Sequence, residues 1–93
     1  MTLTSKERAE MRARAHHLPV MVHIGHQGVT DTVRQTLDDT LRTKELVKIQ
    51  FTKAFEGKPK HAANEVAQLV SAEVVQAIGR TATLYRENPD LHG

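Results

Sequence analysis

Gly25-His26-Gln27-Gly28 stands between the apolar run Val20-Met21-Val22-His23-Ile24 and the start of a new pattern at Val29-Thr30-Asp31. Two glycines in that place let the backbone turn sharply and approach another surface with no Cβ in the way. They also leave the first free amides of a following helix pointing outward, a geometry suited to an anion such as a nucleic-acid phosphate. His26 and Gln27 carry no fixed positive charge, and Asp31 competes for the same helix end. On its own residues the motif stays open between an anion-binding loop and a plain turn.

The other candidate chemistry is basic. Ser5, Arg8, Arg12 and His16 step by four along the first predicted helix, and no acid falls on that line. Such a line suits phosphate contacts, each adding salt-sensitive affinity, and it also suits an ordinary solvated face. Arg34, Asp38 and Arg42 have the same step but alternate in charge, which predicts a solvated salt-bridge ladder. Lys48 and Gln50 lie on the polar side of an alternating strand, and Tyr85-Arg86 closes the last one. The adjacent aromatic residues of a base-stacking sheet are missing.

Metal and covalent chemistry find little support. The six histidines include the pair His23 and His26, but no nearby carboxylate completes a ligand set. Cysteine is absent, which excludes thiolate ligands, disulfides and cysteine nucleophiles. Ser5 and Ser71 sit in helical contexts without a partnered base. A non-enzymatic domain without cofactor, metal or small-molecule substrate is expected.

Positioning these residues takes one small domain of 93 residues with net charge +2. With one Tyr, two Phe and no Trp, its core must be aliphatic. The N-terminus has no signal-peptide core and no stretch is apolar enough to span a membrane, so a cytoplasmic protein is expected.

Thr4-Ser5-Lys6-Glu7 has capping-box spacing and predicts a helix to about His17, stopped by Pro19. Val20–Ile24 reads as a strand. Thr30 is the predicted N-cap of a second helix reaching about Thr43, with Val33, Leu37 and Leu41 inward. Leu46–Phe51 alternates as a strand, with Val47, Ile49 and Phe51 on the core side. Lys53–Lys58 is a loop within a basic segment from Lys53 to Lys60, and Pro59 opens a third helix with Ala62, Val66, Leu69 and Val70 inward. Val74–Ile78 and Thr81–Arg86 form a hairpin about Gly79-Arg80, where Gly in first position suits a type II′ turn.

The order is α-β-α-β-α-β-β. It predicts an α+β two-layer sandwich, with helices against one main face of a four-stranded mixed sheet. Residues 1–86 form the single domain, and 87–93 are expected to be a flexible tail.

Three stretches carry a family resemblance: Ile24-Gly25-His26-Gln27-Gly28-Val29-Thr30, Glu45-Leu46-Val47-Lys48-Ile49, and Ile78-Gly79-Arg80-Thr81-Ala82-Thr83-Leu84-Tyr85-Arg86. In order and spacing they resemble the CRM domain (chloroplast RNA splicing and ribosome maturation) in its stand-alone bacterial form, over about Leu3 to Arg86. The resemblance implies a fold like the C-terminal domain of translation initiation factor three. It further implies RNA binding and association with precursors of the large ribosomal subunit, while relatives in plant organelles assist intron splicing. By the family pattern Gly25 to Gly28 is the RNA-facing loop, and His26-Gln27 stands where many relatives carry Lys or Arg.

The expected RNA-binding set is therefore Gly25, His26, Gln27, Gly28 and Thr30, with Arg8, Arg12, Lys48, Arg80 and Arg86 supplying charge. The competing class is a protein-interaction module that docks on a ribosomal protein or on itself without touching RNA. A metal-dependent enzyme built on His23 and His26 is the third reading.

Overall fold

A computed structural model describes residues 3–91. The chain folds as α1 (Ser5–Ala15), β1 (Val20–Ile24), α2 (Asp31–Lys44), β2 (Leu46–Phe51), α3 (Pro59–Leu69), β3 (Glu73–Ile78) and β4 (Thr81–Tyr85), ending in a 3-10 turn at Pro89–Leu91. Met1 and Thr2 at the start, and His92 and Gly93 of the expected tail, lie outside the described residues.

Local signals in the sequence set the helix starts. The Thr4 hydroxyl accepts from the Glu7 amide and the Glu7 carboxylate accepts from the Thr4 amide, a complete capping box. Thr30 caps α2 by accepting from the Val33 amide. In contrast, α3 starts at Lys58-Pro59 with no side-chain cap and no acid in its first turn.

The sheet order is β1-β2-β4-β3. β1 and β2 are parallel, and β4 is antiparallel to both β2 and β3. The crossover through α3 thus carries β3 past one open place, and the hairpin returns β4 into it. Gly79 has φ 56° at the hairpin turn and Arg80 does not share the positive φ, the φ pattern of a type II′ turn.

Alternation in β2 sorts the chain into its layers. Val47, Ile49 and Phe51 join Leu37, Leu41, Val66 and Ala67 in the main core, so α2 and α3 form one layer against the sheet. Leu46 points the other way, into a smaller cluster with Leu3 and Val75, bordered by Met11, Leu18 and Tyr85. The expected α+β order and mixed sheet are present, and α1 adds a cover on the opposite face, over β2 and β3.

One ion-pair network closes the end of the sheet where β2 begins and β4 finishes. The Arg86 guanidinium donates to the Asp38 carboxylate at 2.6 Å, to the Asp38 carbonyl at 2.9 Å and to the Val70 carbonyl at 2.8 Å. Arg42 also reaches Asp38 at 3.0 Å, whereas Arg34 makes no ion pair among the described residues. The Arg42–Asp38 half of the predicted ladder on α2 is therefore present, and Arg86 takes the other carboxylate oxygen from across the fold. Next to it, the Asn88 amide donates to the Glu45 carboxylate and its side chain to the Arg42 carbonyl. These bonds fasten the first part of the stretch expected to be a tail.

The Arg86 hydrogen bond is the leading reason why the Asp38 carboxyl titrates below its ordinary range. A carboxylate shifted down contributes stability that is present above about pH 4 and is lost as pH falls through the depressed value. Asp38→Asn should therefore flatten the drop in melting temperature on acidification below about pH 4, measured by circular dichroism. Arg86→Ala should cost about 2–3 kcal/mol at neutral pH in urea unfolding, since it strands a partly buried carboxylate and two carbonyls.

Candidate functional site

Gly25-His26-Gln27-Gly28 closes as a four-residue turn, with the Gly28 amide donating to the Gly25 carbonyl at 2.9 Å. Gly28 has φ +69°, a conformation open to glycine and strained for other residues. Gly25 has no positive φ but sits in a tight place: a Cβ there would stand 3.3 Å from the Thr52 hydroxyl, which would have to shift slightly. Val29 then packs against the core and fixes the exit of the loop. His26 and Gln27 are exposed at the tip, and their amides have no acceptor among the described residues. The loop, Thr30 and Val33 line a shallow hollow of about 340 Å³.

The loop rests on the segment that follows β2. The Thr52 amide donates to the Ile24 carbonyl at 2.9 Å, which continues the parallel pairing past the strand ends. The Thr52 carbonyl accepts from the Phe55 amide at 3.0 Å and from the Arg80 guanidinium at 2.9 Å. Phe55 lies 4.8 Å from the Phe51 ring, centroid to centroid, and is partly buried against the core. A Cβ on Gly28 would be 4.0 Å from this ring, and one on Gly57 would be 2.8 Å from it. Phe55 is therefore held between the two loops, and a short chain of contacts joins both to the β3–β4 hairpin. His26 and Glu56 face each other across the same junction at 3.9 Å, both largely exposed.

This arrangement splits the expected site residues. Gly25, His26, Gln27, Gly28, Thr30 and Arg80 come together where β1 and β2 end and β4 begins. Arg86 is at the far end of the sheet with its guanidinium committed to Asp38 and Val70. Arg8 is also drawn inward: although α1 carries no acid on that line, the fold brings Glu73 to 3.2 Å, and Arg8 donates to the Val74 carbonyl as well. Lys48 lies beneath α1, donating to the carbonyls of Ala15 at 3.0 Å and Leu18 at 3.4 Å. There it serves as a cation at a helix C-terminus. Arg12 is exposed and has no ion-pair partner among the described residues.

Lys53, Lys58 and Lys60 are missing from the expected set, yet they occupy the segment packed beside the glycine loop. Their signal was the basic run Lys53–Lys60, whose place in space depends on the β1–β2 pairing. Among the described residues no group of three or more His, Cys, Asp or Glu side chains could hold a metal, and no helix is long and apolar enough to cross a membrane.

A four-stranded mixed sheet with three helices and a glycine loop at its β1–α2 junction defines a small α+β binding domain. The chain belongs to the CRS1 / YhbY (CRM) domain family, whose sequence pattern matches residues 3–86. This is a family of RNA-binding domains and not of enzymes. The chain is 30% identical over 88 residues to "Probable RNA-binding protein YqeI" of Bacillus subtilis, covering 95% of this chain and 92% of the relative. It is 28% identical over 89 residues to "Probable RNA-binding protein PA4753" of Pseudomonas aeruginosa, covering 96% and 86%. The solution structure of SAV1595 from Staphylococcus aureus is similar, with TM-score 0.79 and 30% identity over 94% of this chain and 91% of that one.

If Phe55 holds the two loops together, Phe55→Ala should loosen them before the sheet. Hydrogen exchange at the Gly28 and Phe55 amides should accelerate at least tenfold, a change of about 1.4 kcal/mol in local opening. Amides in the β2–β4 ladder should accelerate less.

Proposed function

We propose that this chain is an RNA-binding protein that docks on ribosomal RNA in precursors of the large ribosomal subunit and assists their assembly. The observation carrying this reading is the gathering of the glycine loop and Arg80 around Thr52, in a chain whose relatives are named as RNA-binding proteins. Gly25 and Gly28 let the backbone approach a phosphate closely, and the free amides of His26 and Gln27 face outward to meet it. Arg80 keeps guanidinium N–H groups beyond the one spent on Thr52, so it can both brace the loop and reach a phosphate oxygen. Arg12 adds charge from α1. Arg8, Lys48 and Arg86 serve the fold in this reading, because their head groups are already engaged.

Recognition is of backbone and shape. The sheet lacks neighbouring exposed aromatic residues, and affinity of this kind is dominated by phosphate contacts and falls steeply with salt. Sequence information would have to come from the folded shape of the RNA.

Fluorescence polarisation with labelled fragments of large-subunit ribosomal RNA tests the reading. Placing carboxylates at the exposed tip, His26→Glu with Gln27→Glu, should weaken binding at least tenfold, about 1.4 kcal/mol, with the melting temperature unchanged. These substitutions leave Gly25 and the positive-φ Gly28 in place, so a lost affinity is not a lost fold. Equal affinity of variant and parent would remove the loop from the interface. Absence of RNA binding at low salt, together with capture of a ribosomal protein, would favour the protein-docking class instead.

A further inference from the structure

We infer that Lys53, Lys58 and Lys60, on the β2–α3 loop and the start of α3, form a second phosphate-backbone contact for the same RNA, set rigidly beside the glycine loop. The inference rests on the RNA-binding reading above and extends its surface to residues outside that site.

Charge is the first argument. Lys53, Lys58 and Lys60 are exposed, and their ammonium groups make no ion pair or hydrogen bond among the described residues. Arg8, Lys48 and Arg86, by comparison, are all engaged inside the protein. The two acids nearest in sequence are both turned to histidines: Glu56 toward His26 at 3.9 Å, and Glu65 toward His61 at 2.7 Å. The three lysines thus carry no carboxylate partner among the described residues, and Lys58 and Lys60 border the same hollow.

Stability does not account for them. Lys58 and Lys60 flank the start of α3, where the helix dipole favours acids and disfavours cations. The other two helices follow the rule, with Glu7 and Asp31 in their first turns. A cationic helix start without a compensating contact is the kind of local conflict that function explains. Lys58, Lys60, His61 and Asn64 border one open hollow of about 310 Å³, and nothing apolar and large is exposed there. Such a surface offers a polyanion two unpaired ammonium groups.

Geometry makes this surface continuous with the glycine loop. Thr52 bonds to Ile24 on one side and to Phe55 and Arg80 on the other, and Phe55 fills the space between Gly28 and Gly57. Phe55 packs the two loops against each other, so an RNA backbone on the first loop can run onto the segment that carries the lysines. The uncharged His26-Gln27 tip is then consistent with charge supplied by the adjacent loop.

The test compares two triple variants of equal charge: Lys53→Gln with Lys58→Gln and Lys60→Gln, and Lys6→Gln with Arg14→Gln and Lys44→Gln as the control on α1 and the far end of α2. Both bind the same labelled large-subunit ribosomal RNA fragments over a salt series. The first should lower the salt dependence by about two to three, at about 0.7–0.9 per phosphate contact, and the control by less than one. Its melting temperature should be unchanged or higher, since cations leave a helix N-terminus. Equal slopes for the two variants would overturn the inference. Weakening by the His26 and Gln27 variants, with none by the lysine variant, would overturn it while leaving the proposed function standing. A parent protein that binds no RNA at low salt would overturn both.

Discussion

The backbone of Thr52, one residue past β2, joins the glycine loop, the loop after β2 and the β3–β4 hairpin. Its amide continues the parallel pairing to Ile24, and its carbonyl accepts from both Phe55 and Arg80. Each of these bonds reaches a different element: the glycine loop, the basic loop and the β3–β4 hairpin. Gly25 lies close against this segment, where an added Cβ would stand 3.3 Å from the Thr52 hydroxyl and make it shift slightly, and Gly28 answers separately to its positive φ.

The same fold decides what each cation can do. Lys48 is spent on carbonyls at and just past the end of α1, and Arg86 on Asp38 and on the Val70 carbonyl just past α3. Arg8 is matched to Glu73 of β3, where its own line along α1 carries no acid. Free positive charge is what remains: Arg12 and others on the helices, and the lysines beside the glycine loop. A net charge of +2 therefore understates how basic the end around Thr52 is. Electrostatic steering of a polyanion depends on that local excess and not on the total.

Membership of the CRM family and similarity to the SAV1595 structure place the chain among compact domains with the same order of helices and strands. Within that frame His26-Gln27 is informative. A loop tip without fixed charge can still present amides at close range, because glycine geometry is a property of the backbone. Charge can come from the neighbouring segment, because Phe55 fixes the distance between the two loops.

The sequence by itself determined the elements and their ends. The capping box of α1, the Thr30 cap of α2, Pro19 and Pro59, the alternation of Leu46–Phe51 and the glycine of the hairpin are local signals, each acting within a few residues. It also determined that the core would be aliphatic and that Gly25 to Gly28 would be a turn. Only the tertiary structure decided that β4 enters between β2 and β3, that α1 covers the opposite face, and that Asn88 docks on α2. It likewise decided the fates of Arg8, Lys48 and Arg86, whose partners lie 65, 33 and 48 positions away. No periodicity encodes such pairings, because the distance between two charges is set by chain crossings and side-chain packing. The basic run Lys53–Lys60 was visible as composition, and became part of a surface only when the β1–β2 pairing brought it to the glycine loop.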